Sequence, residues 1–303
     1  MAARYDTRPR RRLAASSRPA APCPPPVAGG RMRPRSFGLR SGITMAAMAT
    51  AERIGATASE PLWFYVDGSW YKGSLPWFPD ASELPGTRIL KEHWKEIRDE
   101  VEAAWQGDPE TFRENFTPYA WREPGWKTVN LYSYFLRSRA SCARFPKTAA
   151  IVERIPNMCL AQIAVLQPGT TLKAHFGDTN AVVRSHLGLI VPGGLPELGL
   201  RVARETRTWH EGEVFAITIA HRHKAWNHTD RPRVALVVDV IRDEYVGQRY
   251  TIAAKALAAI AMKWCATKAP RLKRLPRPWV RAIHAALWPI FRVRLAVQRA
   301  TGR

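Results

Sequence analysis

Between residues 160 and 241 the chain is cut into short runs rich in β-branched residues: Leu160–Leu166, Val183–Val191, Leu200–Trp209, Glu213–Ile219 and Arg233–Ile241. Pro168-Gly169, Gly193-Gly194 and Glu211-Gly212 punctuate them. Branched side chains fit a pleated, half-buried surface, while Gly and Pro mark the turns. Parallel strands need a crossover between them, in most cases a helix, and no segment of helical period and length lies between these runs. The pattern predicts antiparallel strands forming a sandwich or barrel rather than βαβ units.

Helices are expected on either side, which makes the chain mainly β with flanking helices. Upstream, order begins near Pro61, and Trp63-Phe64-Tyr65-Val66 before Asp67-Gly68 reads as a strand and turn. Leu90, Trp94, Ile97, Val101 and Trp105 then form one apolar helical stripe, stopped by Gly107-Asp108-Pro109. Downstream, Thr251–Ala266 reads as a helix with Ile252, Leu257, Ile260 and Met262 as its apolar contacts. A basic connector, Pro270–Pro278, leads to a second helix over Trp279–Gln298, with Pro289 expected to kink or divide it.

Charge needs dividing before it means anything. The formal net of +22 suggests a polyanion partner, yet residues 1–50 carry +9 and residues 251–303 carry +12, leaving about +1 for 51–250. A nearly neutral body between cationic ends gives no reason to expect nucleic acid as a partner. Residues 1–50 read as a disordered basic leader rich in Pro and Arg, with Met45 and Met48 as alternative starts. The globular region is expected over 61–245, and 251–303 reads as a basic amphipathic helical tail. Trp and aliphatic residues beside Arg suit either packing on the barrel or peripheral contact with a membrane. Four scattered cysteines without CxxC spacing, no secretory signal and no stretch long enough to span a bilayer predict a reducing, cytoplasmic location, peripheral to the membrane if the tail binds it.

The chemistry gathers in the strands. Five of the eight histidines, His175, His186, His210, His221 and His223, fall between residues 175 and 223, with His228 just beyond. His221 and His223 read as the end of the strand that runs to Ile219, and alternate strand residues share a face. Histidines from different strands make a divalent-metal site suited to iron, zinc or copper.

Three blocks then stand in order: Pro168-Gly169-Thr170 leading to His175-x-Gly177-x-Thr179-Asn180-x-x-x-Arg184-x-His186-Leu187-Gly188-Leu189; Thr208-Trp209-x-Glu211-Gly212; and His223-x-x-Trp226-Asn227 with Arg233 and Asp239. Together they resemble the aspartyl/asparaginyl β-hydroxylase family of iron(II)- and 2-oxoglutarate-dependent dioxygenases, over about 120–242 and more loosely from Leu75. Gly125-Trp126 and Phe145-Pro146-Lys147-Thr148 extend the likeness. The resemblance implies a double-stranded β-helix, a jelly-roll or cupin-like core. It implies that His175 and His223 hold iron(II), that Arg233 pairs with the distal carboxylate of 2-oxoglutarate, and that O2 is the other co-substrate. Arg184, His186 and Trp126 would contact the co-substrate or nearby substrate groups.

Gly177 stands at the family's vacated carboxylate position. Asp178 is one residue late, so a strand slip would turn it away from the metal. His221 replaces a usual aromatic and is expected beside the ligands or facing substrate. Ala164 stands where the family often has Ser, and Ile217-Thr218-Ile219-Ala220 replaces an Asp pair. Trp226 and Asp239 are expected to be structural. Substrates implied are Asp or Asn side chains, hydroxylated at the β-carbon in a peptide or protein, or an acyl chain of a lipid. Two rivals stay open: a carboxylate-free iron halogenase on the same fold, and a non-catalytic interaction protein with a vestigial barrel.

Overall fold

Strand alternation in Arg233–Ile241 sets the architecture, because all nine residues are buried and successive side chains must face two different layers. The computed structural model describes residues 60–117 and 125–302; the basic leader 1–50 lies outside the described residues. In chain order the elements are α1 (Thr87–Gly107), β1 (Arg113–Glu114), β2 (Trp126–Ser133), β3 (Leu136–Arg137), α2 (Arg139–Arg144) and α3 (Pro146–Val152). There follow β4 (Met158–Leu166), β5 (Thr170–Thr171), β6 (Val182–Ile190), β7 (Leu198–Val202), β8 (Glu205–Arg207), β9 (Val214–Ile217), β10 (His223–Asn227) and β11 (Arg233–Ile241). Helices α4 (Arg249–Lys268) and α5 (Arg277–Thr301) complete it.

The strands form two antiparallel sheets: a larger one in the order β1-β2-β4-β11-β6-β9 with β3 beside β2, and a smaller one in the order β5-β10-β7-β8. Their facing sides share one core cluster, in which Ala164, Leu166, Ala235 and Val237 of the large sheet meet Leu172, Leu198, Leu200 and Ala225 on the small-sheet side. This is the double-stranded β-helix. The opposite face of the large sheet, through Ala161, Ile163, Val165, Val234, Leu236 and Val238, packs on Leu90, Ile97 and Val101 of α1 and on α3. Odd-numbered residues of β11 and even-numbered residues of β4 and β6 therefore point into the barrel. That parity places Arg233, Asp239, Arg184, His186 and Ala164 inside.

Several expectations need correction. Leu200–Trp209 is not one strand but the β7–β8 hairpin, turned at Ala203 with φ of 48°. His221 and His223 do not end a strand begun at Glu213: β9 stops at Ile217, and His223 opens β10. Trp63–Val66 makes only a single bridge, Phe64 to Thr179, because Asn180 and Asp178 hold it through hydrogen bonds to Trp63 and Tyr65. Pro289 does not divide its helix; α5 runs through it. Of the two roles open to 251–303, packing on the barrel is seen for α4: Ile252, Ala253, Ala254, Ala256 and Leu257 are buried in the barrel's own core cluster.

Candidate active site

His175 and His223 meet because their backbones pair: each N–H donates to the other's carbonyl at 2.9 Å. Directly opposed residues on antiparallel chains carry their side chains on one face at short range. The two rings lie 4.4 Å apart between centroids, tilted by 58°. His175 Nδ1 is 2.7 Å from Lys173 O, and His223 Nδ1 is 2.9 Å from His221 O. A carbonyl only accepts, so each Nδ1 carries and donates the proton, and the lone pair resides on Nε2. That tautomer and fixed ring orientation are what an imidazole metal ligand requires. Burial pulls His175 down to about 4, against the pull of the Lys173 carbonyl and with help from the Arg184 and Lys263 charges. Burial, then His175, holds His223 well below the usual histidine range. Both imidazoles are neutral at neutral pH.

No carboxylate joins them. A Cβ at Gly177 would stand 2.6 Å from Ile219 side-chain carbons, including its Cβ, so the backbone here is packed against a neighbour too closely for any side chain. Asp178 is engaged elsewhere, with Oδ1 2.6 Å from Lys263 Nζ and Oδ2 accepting from the Tyr134 hydroxyl at 3.3 Å. Among the described residues no group of three or more His, Cys, Asp and Glu is placed to hold a metal. The protein donors are thus two imidazoles, a set suited to iron with the remaining positions left to small molecules.

Beside the pair lies a small chamber lined by Trp126, Ala164, His186, Leu200, Trp209 and Arg233. Arg233 is 3% exposed, its guanidinium 4.3 Å over the Trp209 ring, with one Nη donating to Ala164 O at 3.1 Å. Its Nε finds no partner, and neither do the two ring nitrogens of buried His186, which stacks on Phe215. Buried polar atoms without partners point to a missing ligand. Burial alone draws the Arg233 guanidinium down to about 9, and it holds His186 well below its usual value with the Arg184 and Arg233 charges assisting. A buried, uncompensated fork of donors beside a neutral histidine fits a small carboxylate. The residues present therefore fit both expected groups: iron at His175 and His223, and the distal carboxylate of 2-oxoglutarate at Arg233, with His186 beside it.

Arg184 stands differently. It also lines the chamber, but its Nε and Nη2 each lie 2.7 Å from one oxygen of Asp239, its direct partner across the β6–β11 ladder. Burial opposes the Arg184 charge, and Asp239 overrides that and raises the group above its ordinary value. This fork is already filled. Trp126, half-buried on β2, lines the chamber and also the mouth in front of the pair.

That mouth is walled by Phe116, Phe176, Asp178 and, from α4, Leu257, Ile260 and Lys263. His221 is not part of it: its Nε2 donates to Leu75 O at 2.7 Å and its ring packs edge-on against Tyr71. Trp209 was visible in the sequence only as part of a motif, and its place under Arg233 was not. Nothing in the sequence marked Lys263, which lies 85 residues from Asp178 and outside the matching blocks.

Fold and site together define a class: a jelly-roll barrel that sets two neutral histidines side by side next to a buried arginine without a counter-charge. A family model described as Aspartyl/Asparaginyl beta-hydroxylase matches residues 91–243, half of the chain, and the chain belongs to that iron(II)- and 2-oxoglutarate-dependent family. It is 34% identical over 167 residues to an ornithine lipid ester-linked acyl 2-hydroxylase of Rhizobium tropici, covering 54% of this chain and 59% of that one. It is 31% identical over 171 residues to the human aspartyl/asparaginyl beta-hydroxylase, covering 54% of this chain and 22% of that protein. The chain thus spans less than two thirds of either relative. Among solved structures, a Pseudomonas putida prolyl-4-hydroxylase aligns with 49% of this chain and 87% of its own, at 14% identity and a TM-score of 0.33.

Proposed function

We propose that the protein is an iron(II)- and 2-oxoglutarate-dependent hydroxylase acting on the acyl chain of a lipid. The observation that favours this substrate class is the mouth beside the histidines, where Phe116, Phe176, Leu257 and Ile260 offer apolar contacts among polar neighbours such as Asn115, Asn130 and Gln162. The relative that hydroxylates an ornithine lipid acyl chain supports the same reading.

Bound iron and 2-oxoglutarate supply oxygen activation: one atom of O2 enters a C–H bond of the substrate, and the other leaves in succinate with carbon dioxide released. The chain's own residues orient and exclude. His175 and His223 present Nε2 and are held in place by their Nδ1 bonds. Arg233 receives the distal carboxylate, which relieves its uncompensated burial, and His186 borders the same space. Trp209, Leu200 and Ile217 keep the chamber dry, which strengthens that ion pair.

A second reading, hydroxylation at the β-carbon of Asp or Asn in a peptide, draws on Lys263 and Arg184, two cations at the mouth. Each is already paired, with Asp178 and Asp239 respectively, so neither offers an open fork to a substrate carboxylate. We also propose that the reaction takes place in the cytoplasm, the compartment suited to a chain with few, scattered cysteines.

Mass spectrometry after aerobic turnover with a panel of acylated lipids, Asp/Asn peptides and free amino acids tests the reading. A gain of one oxygen on an acyl chain supports it. A hydroxylated peptide with untouched lipids, or a gain of chlorine in chloride buffer, replaces it.

A further inference from the structure

The outward face of α5 has no use in the site. Trp279, Ala282, Ala286, Ile290, Val293 and Val297 recur at intervals of three and four, so they form one stripe along the helix, and all six are exposed. Trp279, Ile290 and Val293 are exposed to 65%, 62% and 64%. The opposite face is already fastened to the body. Leu295 is buried, Trp288 and Phe291 pack on the core, His284 donates to Lys255 O at 2.8 Å, and Gln298 donates to Phe135 O at 2.8 Å. The helix therefore cannot roll its apolar stripe inward without breaking those contacts. An exposed apolar patch of this length marks an interaction surface.

Charge selects the occupant. Residues 251–303 hold twelve Lys and Arg and no Asp or Glu. Among the described residues, ion pairs to acids tie down Lys263 and Arg281, while Arg292 and Arg294 stand exposed on α5 on either side of Val293, and Arg271, Lys273 and Arg274 stand exposed in the connector before it. A second copy of the chain would set one cationic helix against another. A polyanion without an apolar phase would leave the stripe in water. A bilayer with anionic headgroups satisfies both features, receiving aliphatic and Trp side chains at the acyl boundary and Arg at the phosphates. No helix among the described residues is long and apolar enough to cross a membrane, so the contact is with its surface.

We infer that the outward face of α5, centred on Ile290 and Val293, docks the protein on anionic lipid bilayers. The inference goes beyond the proposed reaction, since α4, which packs on α5, also walls the mouth of the site, but it holds whichever substrate is hydroxylated. The test is co-sedimentation of the full chain with phosphatidylcholine vesicles, with and without phosphatidylglycerol, read without iron or substrate. Binding should require phosphatidylglycerol and weaken with salt. The exposed double variant Ile290→Glu/Val293→Glu should lower partitioning by at least about tenfold, and Arg292→Gln/Arg294→Gln by about tenfold, with unchanged circular dichroism. Equal binding by parent and Glu variant overturns the inference. So does equal binding to neutral vesicles, or a self-association that the Glu variant abolishes while vesicles bind nothing. Retained vesicle binding with no acyl product would instead remove the substrate reading and leave this one standing.

Discussion

Two arginines project into the same barrel and are treated in opposite ways. Arg184, on β6, meets Asp239 across one ladder rung with two bonds of 2.7 Å. Arg233, on β11, has a single carbonyl partner, an aromatic ring under it and an Nε with no partner at all. Both charges are costly to bury. The first is compensated within the chain and holds the β6–β11 register. The second is left uncompensated, which makes sense only if its partner arrives from outside. The difference separates a structural cation from a binding one, a distinction that residue type and strand parity alone cannot make.

The comparison can be broken by moving the compensation. Asp239→Asn leaves the half-buried Arg184 without its counter-charge, and stability should fall by about 3 kcal/mol, the low end for breaking a buried pair, in denaturant unfolding. A smaller loss would mean that Arg184 reaches solvent or a ligand instead. The histidines belong with Arg233, His223 being buried and His175 half-buried, both without counter-charge. The unfolded chain protonates His175 near 6.5 and the folded chain near 4, so the unfolded state binds more protons between those values. The stability of the metal-free protein should be full above about 6.5 and fall as pH drops towards 4, by up to about 3 kcal/mol from this residue. Urea unfolding between these limits reads it, and His175→Gln should flatten the profile.

Arg233→Met tests the other side. Affinity for 2-oxoglutarate should drop at least about 30-fold, the cost of removing one partner of a buried charge contact, while the melting temperature holds or rises because an uncompensated charge is gone. Unchanged affinity would strip Arg233 of its role. The smallest expected effect comes from Ala164→Ser, which sets a hydroxyl beside Arg233 in the chamber. One added hydrogen bond of about 1 kcal/mol predicts a fall in the KM for 2-oxoglutarate of about fivefold with little change in kcat.

How much of this was legible depended on the residue. β11 was read to the residue because Val, Leu and Ile fill both of its faces. β10 was missed because His223-Lys224-Ala225-Trp226-Asn227 has no β-branched residue, and its strand character comes from pairing with β7 and β5. The β7–β8 hairpin was merged because its turn uses Ala203 at positive φ rather than Gly. Helices α2 and α3 span six and seven residues, too few to show a period. Within the site, the histidine pair and Arg233 were legible through motif blocks. The commitment of Arg184 to Asp239 and of Asp178 to Lys263 was not, since each joins residues 55 and 85 positions apart that only register brings together. The place of Leu257 and Ile260 at the mouth is equally hidden, because both read as ordinary helix contacts.

The central claim is that His175, His223 and Arg233 form one working site. Its most direct measurement is succinate released when O2 is admitted to protein equilibrated anaerobically with iron(II) and 2-oxoglutarate. The account predicts succinate from the parent chain, none above background from the His175→Ala/His223→Ala double variant, and a deficit in Arg233→Met that excess 2-oxoglutarate partly restores. Undiminished succinate from the double histidine variant would contradict it.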